Sequence, residues 1–176
     1  MKSRPVNSLG EYSMDEKDRE LLRVLESDSR IGHADLATML NLSQNDIKKR
    51  ILAMEKAGVI RKYTAVIDWK KAGHDGVTAV VEVKVSPESE FGYDRIADRV
   101  ARFPEVKSLR LVTGSYDLQL IVCGRTMQEV SEFVSGQIAS LESIRETVTH
   151  IVMKTYKEYG CELQRREGAE RLPYSF

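Results

Sequence analysis

Cysteine and histidine are scarce in this chain, and the few that occur lie far apart. Its 176 residues hold two cysteines, Cys123 and Cys161, without a Cys-x-x-Cys pair, and three histidines without metal-ligand spacing. A zinc site needs such ligands close together, and a disulfide bond needs an oxidising compartment. We therefore expect no metal, no other cofactor and no disulfide, with Cys123 packed as a small apolar residue at the end of a strand.

Long apolar runs and a paired nucleophile and base are also missing. Mean hydropathy is −0.36, and no run approaches the ~20 apolar residues that a membrane-spanning helix needs. Residues 1–10 lack the apolar segment of a signal peptide. We expect a soluble, cytoplasmic protein with no membrane partner and no catalytic residues, which is therefore not an enzyme.

The chain has no net charge, since 27 basic residues balance 27 acidic ones. Taken globally, that balance argues against nucleic-acid binding, but the charge is polarised. Residues 14–47 hold four cations and eight acids, whereas residues 48–71 hold eight cations and two acids. A local basic patch is what contact with phosphates requires, so double-stranded DNA is a candidate partner.

The basic region begins inside a stretch that predicts a capped amphipathic helix. Ser43 is a favourable N-cap residue, and Ile47, Ile51 and Met54 form an apolar stripe at i, i+4 and i+7. A short helix predicted over residues 34–40 comes immediately before it. Two helices joined by a tight turn, the second basic near its start, indicate a helix-turn-helix that binds DNA. The alternative is a surface helix with a solvated run of charge.

Exposed residues near the start of this helix are the predicted DNA contacts. The amides of Gln44 and Asn45 suit base edges, and the lysines that follow can reach bases or phosphates. Arg50 is expected either to contact phosphate or to brace the domain, while Arg61 contacts a phosphate or serves solubility alone. The predicted set is Ser43, Gln44, Asn45, Lys48, Lys49, Arg50 and Arg61.

The hydrophobic pattern changes after a glycine-containing linker. Strands and helices then follow in the order β-α-β-β-α-β, which predicts an α/β (α+β) chain with a C-terminal ferredoxin-like domain. Helices are predicted at 15–27, 93–103 and 127–139, and strands at 59–67, 77–85, 106–112, 118–122 and 144–154. The predicted organisation is a disordered arm at 1–13, a winged or helix-turn-helix DNA-binding domain at 14–63, a connecting strand and linker at 64–76, the ferredoxin-like domain at 77–156 and a tail at 157–176.

A single four-stranded sheet with helices on one side leaves its other face uncovered. The helices cover one face of these strands. We expect the uncovered face to be apolar as well and therefore to need a partner. The prediction is a homodimer formed across the open face of the sheet.

Short motifs follow one another along residues 14–156. The first domain reads Met14-Asp15, Leu21-Leu22, Ser29-Arg30-Ile31, Asp35-Leu36-Ala37, Leu42-Ser43, Lys49-Arg50-Ile51 and Gly58-Val59-Ile60, and the second reads Val112-Thr113-Gly114-Ser115-Tyr116-Asp117. In this order they resemble the Lrp/AsnC, or feast/famine, family of bacterial and archaeal transcription regulators. The resemblance implies a dimer that often builds tetramers or octamers, with an amino-acid effector between C-terminal domains. Two departures are Glu142-Ser143 in place of a frequent Pro-Gly turn, and a chain that continues past Tyr156.

The loop that ends at Asp117 has the chemistry of a zwitterion site. Gly114 permits a sharp turn that presents backbone N–H groups to a carboxylate, and Asp117 suits an ammonium, although a plain hairpin turn is the alternative. The apolar neighbours Leu111, Leu118 and Ile144 favour an apolar or small polar effector side chain. With the resemblance, the expected effector residues are Gly114, Ser115, Tyr116, Asp117 and, unless they are ordinary strand residues, Thr147 and Thr149.

Two other functions remain open on the sequence. One is a binding module that senses an amino acid without a DNA function, against which the basic helix argues. The other is a decarboxylase of haem biosynthesis, because some of those enzymes share this architecture. They use histidines of the second domain, where this chain has His150 alone past the linker.

Overall fold

The computed structural model describes residues 12–74, 76–86 and 92–163. The chain divides into two compact units, Met1–Ala65 and Val66–Phe176, called here the N-terminal and C-terminal units. The N-terminal unit contains α1 (Glu16–Ser27), α2 (His33–Leu40) and α3 (Gln44–Lys56). The C-terminal unit contains β1 (Val77–Val85), α4 (Asp94–Val100), β2 (Val106–Leu111), β3 (Leu118–Gly124), α5 (Met127–Phe133), a π-helical turn (Val134–Ile138), β4 (Ile144–Ile151), β5 (Lys157–Glu158) and β6 (Cys161–Glu162).

Side-chain caps fix the starts of α1 and α3. Asp15 and Asp18 form a reciprocal capping box on α1, in which each carboxylate accepts the backbone N–H of the other residue. Ser43 caps α3 by accepting the N–H of Asp46 at 3.1 Å, which confirms the predicted cap. Beyond α3, Gly58 adopts φ +69°, a left-handed conformation that glycine reaches at little cost.

The apolar stripe of α3 packs into the core of the N-terminal unit. Ile47 and Met54 are completely buried and Ile51 nearly so, as the spacing predicted. They meet Leu21 of α1 and Leu36 of α2 in one cluster. The opposite side of α3 is therefore left to the polar and basic residues.

The prediction of a strand over residues 59–67 is wrong. Within residues 12–74 the structure has no strand: residues 59–60 form a bend, and residues 61–67 have no regular secondary structure. Its apolar residues alternate as a strand would, yet Val59, Tyr63 and Ile67 are all more than 40% exposed. Alternation specifies an extended conformation, but a ladder also needs a neighbouring strand, and the described residues of this unit supply none.

The C-terminal unit has the predicted ferredoxin-like topology. Its four-stranded antiparallel sheet has the order β2-β3-β1-β4, with β1 in the interior beside both β3 and β4. Val81 of β1 and Leu120 of β3 face each other in the core, where Val100 and Val130 from the helices cover them. The predicted helix over 127–139 is present, but its last turn is π-helical, and the strand predicted to residue 154 ends at Ile151.

The open face of the sheet is mixed rather than apolar, which corrects the expectation. Alternation places Val80, Ile121 and Val148 on this face, and each is half-buried. The same face carries Glu82 and His150, whose carboxylate Oε2 and imidazole Nε2 lie 3.3 Å apart. The sequence pattern identified the buried side of β1 correctly, but it overestimated how apolar the other side is.

The described start of the tail is a small hairpin that the sequence analysis missed. β5 and β6 are joined by Tyr159 at φ +44° and Gly160 at φ +83°, the two positive values that a two-residue type I′ turn needs. The predicted arm at 1–13 lies outside the described residues except for its last two, and residues 164–176 also lie outside them. Among the described helices, none combines the length and apolarity needed to cross a bilayer.

Candidate nucleic-acid interface and effector loop

The predicted DNA-contacting side chains share the exposed side of α3. Gln44, Asn45, Lys48 and Lys49 are all exposed, opposite the buried stripe. None of the four makes a side-chain hydrogen bond or an ion pair with another residue in the described part of the chain. These four residues, called the recognition face, thus present two amides and two cations that are not paired within residues 12–74, 76–86 and 92–163.

Ser43 lies beside the recognition face but is engaged in the helix cap. Its hydroxyl accepts the Asp46 N–H and also donates to Asp46 Oδ2 at 2.7 Å. Ser43 therefore fixes where α3 begins.

Arg50 contrasts with the recognition face because its guanidinium is already paired. Its Nη1 lies 2.7 Å from Asp15 Oδ1 and 2.5 Å from Asp18 Oδ1, and the Arg50 side chain is 15% exposed. Burial acts to lower the Arg50 pKa, but hydrogen bonds to both carboxylates and their charge raise it above its ordinary value. Arg50 was expected either to contact a phosphate or to brace the domain, and this geometry supports the second role.

Arg61 lies at the far end of α3 from the amides. Its guanidinium covers Gly58, where an added Cβ would come within 3.3 Å of the Arg61 Cζ. A cation at a helix C-terminus interacts favourably with the helix dipole. At 1.5 Å per residue, the axial distance from Gln44 to Lys56 is about 18 Å. A phosphate contacted by Arg61 would therefore be a different one from any phosphate close to the amides of Gln44 and Asn45.

A groove of about 280 Å³ beside α3 was missed by the sequence analysis. Leu25, Leu36 and Ile51 are among its apolar lining residues, and Lys48 is also part of its lining. The Tyr63 hydroxyl donates to Glu55 Oε1 at 3.0 Å, so the segment after α3 returns to the last turn of that helix. Loss of hydration, together with the hydrogen bond and charge of Glu55, raises the pKa of Tyr63.

The predicted effector loop closes the hairpin between β2 and β3. The Val112 N–H donates to the Asp117 carbonyl at 2.9 Å, and Gly114 turns the chain at φ +132°. Within the described residues, the backbone N–H groups of Gly114, Ser115 and Tyr116 have no hydrogen-bond acceptor. These donors are the ones that the sequence analysis assigned to a carboxylate.

Asp117 has structural partners that its sequence context did not reveal. Its Oδ2 accepts the Val85 N–H at 2.8 Å, and its Oδ1 accepts the Tyr93 hydroxyl at 3.2 Å. Desolvation, then the charge of Asp117 and this hydrogen bond, raise the Tyr93 pKa. Asp117 therefore ties the end of β1 to the residue that precedes α4, through contacts 24 and 32 residues apart in sequence.

The other effector candidates lie on two sides of the sheet. Desolvation, followed by the charge and hydrogen bonding of Glu82 and the charge of Glu146, raises the Tyr116 pKa, so Tyr116 lies near the open face. Thr147 and Thr149 are in register with Val83 and Val81, which places them on the helix side of β4. The structure thus separates the threonines from Tyr116.

The apolar residues expected near the effector also differ in position. Leu118 is 1% exposed and belongs to the core beneath the helices, whereas Leu111 is 59% exposed. Ile144 is partly buried and packs against that core. Leu118 is therefore not available to line an effector site at the surface.

A helix-turn-helix unit with an exposed polar face, followed by a separate ferredoxin-like unit, defines a transcriptional regulator with a ligand-binding domain. The AsnC-type helix-turn-helix domain matches residues 14–55, and the Lrp/AsnC ligand binding domain matches residues 78–160. The chain belongs to the Lrp/AsnC family of helix-turn-helix transcriptional regulators. Family evidence thus points to transcription regulation rather than to the decarboxylase alternative.

Related proteins match most of this chain. The HTH-type transcriptional regulator YugG of Bacillus subtilis is 39% identical over 161 residues, which cover 91% of this chain and 97% of that protein. An AsnC family regulator from Agrobacterium tumefaciens matches with a TM-score of 0.64 at 33% identity, covering 82% of this chain and 94% of that one. A Neisseria meningitidis transcriptional regulator, solved in complex with L-Met, matches with a TM-score of 0.65 at 25% identity, covering 83% and 94%.

Proposed function

We propose that the recognition face of α3 reads double-stranded DNA and that a free amino acid at the Gly114–Asp117 loop modulates that binding. The observation that carries the DNA assignment is the set of four exposed side chains opposite the buried stripe of α3, with which no other described residue pairs. Placed in a major groove, Gln44 and Asn45 would bond adenine edges, for which an amide has the matching donor and acceptor. Lys48 and Lys49 would neutralise phosphates or reach bases.

Asn45→Ala is the direct test of base recognition. We expect this change to cost about 1–3 kcal/mol on a duplex selected by the wild-type protein from a random library, and little on a scrambled duplex. Gln137→Ala removes an exposed amide from the C-terminal unit and is the matched control. Equal affinities of Asn45→Ala and wild type for the selected duplex would remove Asn45 from the recognition face.

The effector proposal rests on the loop geometry and on the L-Met complex of the related Neisseria regulator. The backbone N–H groups of residues 114–116 would hold the carboxylate, and Asp117 would hold the ammonium. Because Asp117 Oδ1 already accepts the Tyr93 hydroxyl, the ammonium would have to share or replace that partner. Ser115 extends the donor set, while Thr147 and Thr149 would contribute only to a ligand that reaches the helix side of β4.

A thermal-shift screen of the twenty amino acids tests for an effector. A ligand that binds only the folded chain raises its stability by about 2.7 kcal/mol at a hundred times its Kd. We expect one or a few amino acids with an apolar or small polar side chain to raise the melting temperature. An absence of any shift, together with an absence of heat in calorimetry, would refute an amino-acid effector.

We also propose that the chain works in the cytoplasm as a homodimer, or as a tetramer or octamer built from dimers. Half-buried Val80, Ile121 and Val148 on the open sheet face support pairing across that face, and two copies would allow a palindromic DNA site to be read. Light scattering at micromolar concentration should give a mass that is a multiple of the dimer. A monomer under those conditions would contradict this assembly.

A further inference from the structure

We propose that Asp15, Asp18 and Arg50 form a clamp that positions the recognition face, so that Arg50 acts on DNA binding without touching DNA. This inference rests on the proposed DNA-binding role of α3. It assigns Arg50 as a positioning residue and gives the capping residues of α1 a part in sequence recognition.

The clamp joins two helices that are distant in sequence. Arg50 Nη1 lies 2.7 and 2.9 Å from the two carboxylate oxygens of Asp15 and 2.5 Å from Asp18 Oδ1. The partners are 35 and 32 residues away from Arg50 along the chain. Asp18 is the one charged residue among the described residues that is fully buried, and the Arg50 side chain is 15% exposed.

Both carboxylates are themselves held by backbone. Asp15 Oδ1 accepts the Asp18 N–H at 2.9 Å, and Asp18 Oδ2 accepts the Asp15 N–H at 3.0 Å. The capping box therefore fixes the two carboxylates at the start of α1, and the Arg50 guanidinium is bonded to acceptors that have little freedom to move. Ionic hydrogen bonds are directional, whereas the apolar contacts of Ile47 and Ile51 are not.

The clamp controls the rotation of α3 about its axis and its position along that axis. Asn45 lies five residues before Arg50, about 7.5 Å along the helix. The apolar stripe holds α3 against the core, but a stripe alone tolerates small rotations and slides. A bonded Arg50 removes that freedom, so the amides of Gln44 and Asn45 meet base edges at a fixed angle.

The local charge at Arg50 also disfavours a phosphate there. The Arg50 guanidinium already bonds two carboxylates, and their negative charge repels a phosphate. A phosphate would have to displace a carboxylate that the capping box holds in place. Lys49, one residue earlier, is exposed and makes no ion pair with the described residues, so it is the matched comparison.

Two variants perturb the clamp gently enough for the unit to fold. Arg50→Lys keeps the charge, but its ammonium ends one bond short of the position of Arg50 Nη1, the atom that bonds both carboxylates. Asp15→Asn keeps an N-cap, because Asn caps helices as well as Asp does, and removes only the charge that faces Arg50. Lys49→Gln is the control that removes an exposed cation.

The experiment measures the affinity of each full-length variant for two duplexes over a range of salt. One duplex is selected by the wild-type protein from a random library, and the other is a scrambled duplex of the same composition. Circular dichroism gives the folded fraction, to which each affinity is corrected. We expect Arg50→Lys and Asp15→Asn to lose about tenfold on the selected duplex, and less than about twofold on the scrambled one, with an unchanged salt slope.

Lys49→Gln should instead weaken both duplexes and flatten the slope of log affinity against log salt by about 0.9. If Arg50→Lys and Asp15→Asn bind both duplexes as the wild type does, the clamp only stabilises the fold and the proposal is overturned. Equal losses on both duplexes with a flattened slope would make Arg50 a phosphate contact, which also overturns it. A wild-type chain that selects no duplex would overturn the proposed function itself, and the clamp with it.

Discussion

Replacing Arg50 with Met removes the guanidinium that faces Asp15 and Asp18 but keeps a long apolar stem over the same surface. Breaking a buried ion pair by deleting one partner costs about 3–5 kcal/mol, because the remaining charge stays buried without its counter-ion. Asp15 is half-exposed and Arg50 is 15% exposed, so solvent screens part of the loss. We therefore expect Arg50→Met to destabilise the N-terminal unit by ~3 kcal/mol, the low end of that range.

Hydrogen exchange in the full-length chain measures this loss directly, because the slowest amides of α1 and α3 report the free energy of opening of their own unit. A loss of ~3 kcal/mol predicts exchange about a hundredfold faster there. Amides of β3, which belong to the C-terminal unit, provide the internal reference and should not change.

The matched substitution is Lys49→Met, which removes an exposed cation one residue earlier and should shift stability by less than ~0.5 kcal/mol. Combining Arg50→Met with Asp18→Asn should recover part of the loss, because the buried charge is then gone as well. Exchange in α1 and α3 that is equally fast in Arg50→Met and Lys49→Met would refute the reasoning that Arg50 braces the unit.

Three further predictions follow from particular contacts. Asp117→Asn should abolish the response to the effector in a thermal-shift assay, whereas Tyr93→Phe, which frees Asp117 Oδ1, should strengthen effector binding in calorimetry. The pKa values of Tyr93 and Tyr116 are raised in the folded chain, so as pH rises the unfolded chain loses these two protons before the folded chain does. The free energy of unfolding should therefore fall as pH rises above about 10, and it should fall less in Tyr116→Phe than in the wild type. Gly58→Ala forces a side chain into φ +69° and should cost about 1–2 kcal/mol in denaturant unfolding.

Local sequence signals predicted the elements that depend on local chemistry. The cap at Ser43 and the stripe of Ile47 and Met54 need only residues within one helix, and the structure has both. The ferredoxin-like order followed from alternation along β1 and its partner strands. These features need no knowledge of what a residue meets across the fold.

Long-range contacts were not predictable in the same way. Nothing within a few residues of Arg50 shows that it meets Asp18, and no local pattern marks Tyr93 as the partner of Asp117. The strand expected at residues 59–67 failed for a related reason, since alternation shows which side is apolar but not whether a neighbour exists. Sequence reasoning thus predicted which polar residues of α3 are exposed, but it could not tell that Arg50 is engaged elsewhere.

The claim that the recognition face of α3 binds DNA is tested most directly by the salt dependence of DNA binding in the double variant Lys48→Ala, Lys49→Ala. If α3 carries the phosphate contacts of both lysines, the slope of log affinity against log salt should fall by about 1.8 on any duplex, at ~0.9 per phosphate. The double variant Lys154→Ala, Lys157→Ala removes the same charge from exposed positions of the C-terminal unit and should leave the slope unchanged. Equal slopes for the two double variants, or a slope like that of the wild type for Lys48→Ala, Lys49→Ala, would contradict DNA recognition by this face of α3.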